Sequence, residues 1–319
     1  MSVALLTAEQ VQAKLSAKKY PAQQTYLAMY STWLEGITTE PGLMTIPIDD
    51  HLVHRGDGVF EAIKVVNGRV FLIDEHLARL ESSAAQIGLS LPMSVDKIKS
   101  VIAETMQAAK VQEALLRLYI SRGPGGFTTN PYDSISSQMY LVVTSLKTLP
   151  PEKYQQGVSI GKSKIPPKDP SMARIKSCNY LPNVLMKKES VDRGIDFTIN
   201  LDGNGNFLEG STENMVILNS QNVLVRPFLN QMLKGTTMMR TFELAEKLVA
   251  QGKIAAIKES NITDDDIKSA KEVMMIGTTL DVLPVTSFEG QKIGSGVQGS
   301  VAKELNELLR ENMKQAPLL

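Results

Sequence analysis

His54–Leu80 reads HRGDGVFEAIKVVNGRVFLIDEHLARL, and its hydrophobic period changes midway. Two apolar runs, Phe60–Val66 and Arg69–Ile73, flank Asn67-Gly68. Asn-Gly supplies the two positive-φ positions of a tight type I′ turn, so this stretch is expected to form a β-hairpin. Asp74 is the expected cap of a helix running to about Gln86. Leu77, Leu80, Ala84 and Ile87 share one stripe of that helix, and Gly88 ends it.

The same patterning extends in both directions. Upstream, Val11, Leu15 and Ala17 mark a short helix that proline interrupts at Tyr20-Pro21. Downstream, Val95, Ile98, Val101, Ile102 and Met106 form the inner face of a helix from Ser94 to about Lys110. Strands follow at Leu115–Ser121 and Gln138–Ser145, joined by a Gly/Pro loop. Pro150-Pro151 lies in a stretch with few apolar anchors, which marks a boundary. The expected division is an N-terminal extension (1–25), a small α+β domain (26–149), a linker (150–157) and a larger domain (158–319). In the last, strands are expected at Val158–Lys162, Asp196–Asn200, Met215–Leu218 and Val223–Val225, with turns at Asp202–Gly205 and Asn219–Asn222. Helices are expected at Pro182–Arg193, Thr237–Ala250 and Val297–Met313. Hairpins mixed with helices in this way argue α+β for the N-terminal part; for the C-terminal part the pattern leaves a distorted barrel open.

Composition narrows the function classes. The 319 residues are 43% hydrophobic, enough to fill a core. Lys+Arg 34 balance Asp+Glu 34, with no dense basic patch, so a nucleic-acid partner is not expected. Cys178 is the only cysteine, which rules out an intrachain disulfide or a cysteine-built zinc cage. No stretch approaches the roughly 20 apolar residues of a membrane span, and residues 1–20 lack the features of a signal peptide. The expectation is a cytoplasmic enzyme without a membrane partner.

Four places put polar residues or glycine where a strand-like run meets a helix or turn. Lys176 sits between apolar Ile175 and small polar residues; burial would favour its neutral amine, as Schiff-base chemistry requires. A surface lysine is the commoner reading of such a residue taken alone. Glu209 and Glu213 lie four apart before an apolar strand, which suits acid/base work or, for Glu213, a solvated turn. Lys234-Gly235-Thr236-Thr237 opens a helix and offers amides and hydroxyls to an anion, although plain N-capping is commoner. Gly277-Thr278-Thr279 ends an apolar run with similar groups. No phosphate loop with its lysine, dinucleotide glycine fingerprint or G-x-S-x-G elbow is present. His51, His54 and His76 have structural or surface roles as their commoner reading, and no metal site is expected.

Taken in order, these motifs resemble the fold-type IV pyridoxal-phosphate enzymes: branched-chain and D-amino acid aminotransferases and aminodeoxychorismate lyase. The resemblance spans roughly residues 41–310. It rests on His54–Leu80 together with IKSCNYLPNVL (175–185), FLEGSTENMVIL (207–218), LKGTTMMRTFELA (233–245) and MMIGTTLDVLPV (274–285). It implies a two-domain α+β fold: a small N-terminal domain, a larger barrel-like C-terminal domain, and pyridoxal 5′-phosphate between them. It also implies a homodimer. On this resemblance Lys176 forms the Schiff base and carries the proton, and Glu209 faces the pyridine nitrogen. Arg79, Thr236, Thr237 and Thr278 bind the phosphate, and Tyr180 bonds the ring hydroxyl. Thr278 and Thr279 also meet the substrate carboxylate.

The substrate side departs from each branch. D-amino acid enzymes carry tyrosine where this chain has Phe60, and an arginine-x-histidine trap where it has Gly123–Thr129. Branched-chain enzymes often show tyrosine-x-arginine in place of Leu115-Leu116-Arg117, and glycine in place of Ala62. Arg55 and Arg122 are the substrate-side candidates for the second carboxylate of a cyclic substrate, the feature on which lyase and transaminase would differ. The implied activity is ping-pong transamination between a branched-chain-like or D-amino acid and a 2-oxo acid. The alternative is the lyase, which eliminates pyruvate to give 4-aminobenzoate; a non-catalytic cofactor-binding protein would have lost Lys176 or Glu209.

Overall fold

A computed structural model describes residues 3–319, which divide into two compact units. The first comprises residues 3–146, 177–179 and 317–319; the second comprises 147–176 and 180–316.

The first unit is built on six antiparallel strands: β1 (Tyr26–Ser31), β2 (Gly36–Thr38), β3 (Gly58–Val66), β4 (Arg69–Val70), β5 (Ala114–Ser121) and β6 (Gln138–Ser145). Their order is β2-β1-β6-β5-β3-β4. The hairpin read from Asn67-Gly68 is present: both residues have positive φ, 51° and 71°, and Val66 pairs with Arg69. The helices Ile73–Gln86 and Val95–Ala109 pack on this sheet. Leu77, Leu80, Ile98, Val101 and Ile102 are buried in it, as their spacing demands. Ser94 caps the second helix by accepting from the Lys97 amide.

The start of the first helix differs from expectation. Leu72, held left-handed at φ 55°, occupies the cap position, and Asp74 lies inside the first turn. There its charge favours the helix dipole and pairs with Lys99 Nζ at 2.5 Å. Leu72 is itself buried, so packing of the hairpin's end overrides capping preference. The N-terminal helix is Ala8–Ala17, opened by a Thr7–Gln10 capping box, and none of its residues is buried.

The second unit begins with the Pro150-Pro151 stretch. Pro151 occupies the first helical position, where its missing N–H costs nothing, and residues Pro151–Gln156 form a short helix. Buried Tyr154 anchors this helix by donating its hydroxyl to the Leu280 carbonyl at 3.0 Å.

A mixed sheet follows: β7 (Val158–Lys162), β8 (Phe197–Ile199), β9 (Asn214–Leu218), β10 (Val223–Arg226), β11 (Ala256–Glu259), β12 (Glu272–Gly277), β13 (Asp281–Phe288) and β14 (Gln291–Lys292). The order is β11-β10-β9-β12-β13-β7-β8, with β14 paired to β13. Every residue of β9 is buried, so it shows no polar–apolar alternation. Helices Leu181–Asp192, Thr236–Ala250 and Ser300–Met313 pack against the strands. Phe207, Met215, Ile217, Met275, Leu283 and Phe288 share the core.

Each unit is thus a sheet with helices packed on it, one sheet antiparallel and the other mixed, which makes the chain an α+β protein. No helix among the described residues is long and apolar enough to cross a membrane.

Candidate active site

The second unit gathers five of the candidate site regions. Lys176 follows the short helix Pro170–Ala173 and is buried, not a surface lysine. Tyr180 is the cap residue of helix Leu181–Asp192. Glu209 and Glu213 bracket a tight turn in which the Gly210 amide donates to the Glu213 carbonyl at 2.8 Å. Asn214, at the far end of that turn, bridges back to Glu209 and then starts β9. Thr278 and Thr279 lie in the turn between β12 and β13, closed by the Leu280 amide on the Gly277 carbonyl at 3.1 Å. A Cβ added at Gly277 would lie 3.8 Å from Glu213 Cγ, so the two turns are neighbours.

Burial pushes the Glu209 carboxyl up to about 7. The Leu233 amide, donating to Oε2 at 3.2 Å, and the charges of Lys168 and Lys176 act against that rise; Glu213 adds to it. Glu213 is buried and is not the solvated turn residue allowed by the sequence. Burial raises it as well, offset in part by the hydroxyl and amide of Thr212 and by Ser211 Oγ. Two desolvated carboxyls four residues apart are thus served by neighbouring cations and N–H groups, an arrangement typical of functional sites.

Helix Thr236–Ala250 opens at Gly235, which carries no side chain to cap the first amides. Thr237 is 3% exposed, and its Oγ1 has no hydrogen-bond partner among the described residues. A buried hydroxyl without a partner is costly unless a ligand atom completes it. At the N-terminus of a four-turn helix, the group that fits is an anion. The donor set therefore suits a phosphorylated aldehyde cofactor: a buried amine at Lys176, a carboxyl at Glu209 able to face a ring nitrogen, and an unsatisfied hydroxyl at the helix start.

Three participants went unrecognised in the sequence. Lys168 places Nζ 5.0 Å from the Tyr180 ring centroid, and burial lowers its pKa. Asn183 donates to the Ser211 carbonyl at 2.6 Å, while its Oδ1 is buried without a partner. Asn214 donates to the Leu233 carbonyl at 3.0 Å.

Arg55, Phe60, Arg79 and Arg122 belong to the first unit. Phe60 stacks on Tyr119 with centroids 5.9 Å apart. Arg79 donates through Nε and Nη2 to Glu61, each at 2.7 Å, and His76 Nδ1 lies 2.6 Å from the same carboxylate. Burial alone would raise Glu61, but the Arg79 and His76 charges hold it down at about 2. Arg122 forks onto Asp57 at 2.7 and 2.9 Å and also donates to the carbonyls of Ile87 and Gly88. Arg55 is exposed and contacts only backbone oxygens, those of His54 and Phe127, in its hydrogen bonds. Among the described residues, no cluster of histidine, cysteine or carboxylate side chains is placed to hold a metal ion.

Residues 58–288 match the model of the amino-transferase class IV family, and the chain belongs to that family. Its members are pyridoxal 5′-phosphate enzymes, and this chain is an aminotransferase of that class. It is 37% identical over 297 residues to the chloroplastic D-amino-acid transaminase of Arabidopsis thaliana, covering 92% of this chain and 78% of that one. It is 32% identical over 270 residues to the D-alanine aminotransferase of Bacillus licheniformis, covering 84% and 92% respectively. Among solved structures it is similar to the branched-chain aminotransferase of the thermophilic archaeon Thermoproteus uzoniensis with norvaline, at a TM-score of 0.80, 22% identity and 90% and 95% coverage. It is also similar to the 4-amino-4-deoxychorismate lyase of Pseudomonas aeruginosa, at 0.72, 23%, 84% and 95%. At these identities the two structures establish the fold alone, fold-type IV, and do not choose between reactions.

Proposed function

We propose that the chain transfers the amino group of a D-amino acid to a 2-oxo acid in a ping-pong sequence, with Lys176 as nucleophile and proton carrier. The observation that carries the reading is the buried Lys176 amine within electrostatic reach of the raised Glu209 carboxyl. The choice of D-amino acids is supported by the names of two relatives above 30% identity.

When bound, pyridoxal 5′-phosphate supplies an electrophilic carbon for amines and a ring that withdraws electrons from the substrate α-carbon. Lys176 would hold the cofactor through its amine and, as a free amine, would carry the substrate α-proton. Glu209 would sit against the ring nitrogen and, as a carboxylate, would hold a proton there. Thr236, Thr237 and Thr278 hold the phosphate, and Tyr180 orients the ring through its hydroxyl. The resemblance also assigns Arg79 to the phosphate, but two arms of its guanidinium engage Glu61 within the first unit.

For the substrate carboxylate, Thr278 and Thr279 are the proposed partners; Arg55 and Phe60, in the first unit, are candidates for substrate contact on the resemblance alone. Arg122 ranks below Arg55, because its fork is already engaged by Asp57. The proposal includes a homodimer, for which the exposed Leu181, Val184 and Val191 on one helix are support. It also includes cytoplasmic residence, in keeping with a single cysteine, Cys178.

The test is a half-reaction on the cofactor-loaded protein. Single D- and L-amino acids are added without a 2-oxo acid, and conversion to pyridoxamine phosphate is followed by absorbance. Conversion by D-donors is expected. Conversion by L-donors alone would overturn the chirality, and pyruvate release from aminodeoxychorismate with no donor conversion would establish the lyase.

A further inference from the structure

The turn 209–214 does more than present Glu209. Glu209 and Asn214 face each other across an isolated antiparallel bridge. From the two ends of that bridge they grip one residue, Leu233. Its N–H donates to Glu209 Oε2 at 3.2 Å, and its carbonyl accepts from Asn214 Nδ2 at 3.0 Å. Asn214 is 5% exposed, so its carboxamide has protein rather than water to bond. Its Oδ1 lies so close to Gly235 that a Cβ there would meet it at 2.0 Å. Glycine at 235 is thus a requirement of the Asn214 side chain, since its φ of −65° is open to any residue. Thr236 and Thr237, with the unsatisfied Thr237 hydroxyl, follow at once.

We propose that Asn214 is a positioning residue that sets the distance between the carboxylate facing the ring nitrogen and the helix start that binds the phosphate. Both ends of one rigid cofactor must be met together, and the Leu233–Gly235 segment is the only covalent lead into that helix. A carboxamide anchored on the Glu209 turn fixes the segment relative to Glu209. Loss of this clamp lets the helix start drift, so phosphate binding weakens although Asn214 is not assigned a contact with the cofactor. The inference rests on the proposed use of Glu209 and Thr237 by the cofactor.

The experiment compares the wild-type chain with N214A, G235A, T237V and the N214A/T237V double variant. It measures the dissociation constant of pyridoxal phosphate and the ³¹P resonance of the bound cofactor. Loss of one buried hydrogen bond corresponds to about a tenfold weaker cofactor. N214A and G235A are each expected to show that loss with a displaced ³¹P resonance. In the double variant, the two losses should combine to less than their product, because both act on one phosphate site. A Tm decrease in N214A and G235A with an unchanged ³¹P resonance and cofactor affinity would mark a merely structural role and overturn the inference. G235A provides the same answer if N214A fails to fold, since its methyl displaces the carboxamide while leaving residue 214 intact. Cofactor binding that T237V leaves unaltered would instead remove the phosphate-site reading on which the inference stands.

Discussion

Replacing Glu209 by glutamine should make the cofactor-free protein more stable above neutral pH and the loaded enzyme nearly inactive. Burial raises this carboxyl from the ordinary 4.5 to about 7, so the folded chain holds a proton that the unfolded chain releases. Stability therefore falls as pH rises from about 4.5 through 7, where the folded state must ionise a desolvated group. At about 1.4 kcal/mol per unit, the shift amounts to at most about 3 kcal/mol. Residual solvent access reduces this to about 2 kcal/mol.

Glutamine keeps the shape of the neutral carboxyl and has no proton to lose. In urea unfolding of the apo proteins, the variant and wild type should coincide near pH 5 and separate by about 2 kcal/mol at pH 8, with the variant the more stable. Comparing the two at each pH cancels the other titrating groups. Loading with cofactor should reverse the order of merit. An amide cannot neutralise a protonated ring nitrogen, and turnover should fall by about a hundredfold or more. An apo wild type that tracks E209Q from pH 5 to pH 8 would refute the claim that Glu209 is desolvated and raised.

Three further outcomes are expected. Lys176→Ala should abolish transamination while the protein still binds the cofactor phosphate; a variant with measurable turnover would remove Lys176 from catalysis. Thr237→Val deletes a buried hydroxyl that has no partner, so apo stability should hold or rise by up to about 1 kcal/mol while cofactor affinity drops about tenfold. A parallel loss of both in thermal and binding assays would contradict the assigned role. Glu61→Ala strands Arg79 and His76 beside a buried vacancy and should cost about 3–5 kcal/mol at pH 7 by urea unfolding. Because Glu61 is held at about 2, its contribution is present above pH 4.5 and fades as pH falls toward 2; a wild-type-minus-variant difference that does not shrink there would argue against the ion pair.

Local chemistry made much of this molecule legible in advance. Asn67-Gly68 allowed only a tight hairpin turn, and the stripe through Leu77 and Leu80 had to face a sheet. The start of the 73–86 helix was misread because capping preference is a local rule, whereas Leu72 is fixed left-handed by burial at the end of the hairpin. Proline at the 150–156 stretch signals a helix start as readily as a linker, and only the hydrogen bond from Tyr154 to distant Leu280 decides between them. Within the site, Lys176 and Glu209 stood out by motif, but Glu213 could not be distinguished from a solvated residue until Thr212 and Gly277 closed around it. Lys168 and Asn214 carry no local signal at all, since their partners lie 12 and 19 residues away.

Two buried carboxylates meet the same desolvation cost in opposite ways. In the first unit Glu61 is wholly buried, yet Arg79 and His76 supply opposite charge and hydrogen bonds at 2.6–2.7 Å, and its pKa falls. In the second unit Glu209 has one amide and two cations within electrostatic reach, and its pKa still rises. Among the described residues, Thr237 Oγ1 and Asn183 Oδ1 are buried there with no partner. A fold selected for stability alone would have compensated these groups as it did Glu61, or replaced them with apolar ones. The first unit also leaves His51 Nε2 and His54 Nδ1 unpartnered among the described residues, so what sets the second unit's groups apart is their place, at the start of the helix that bears Thr237 and beside the Glu209 turn, where a charged ligand would complete them. The energy withheld from the apo fold then reappears as affinity for the cofactor, which is why E209Q and T237V should strengthen the empty protein and weaken the loaded one.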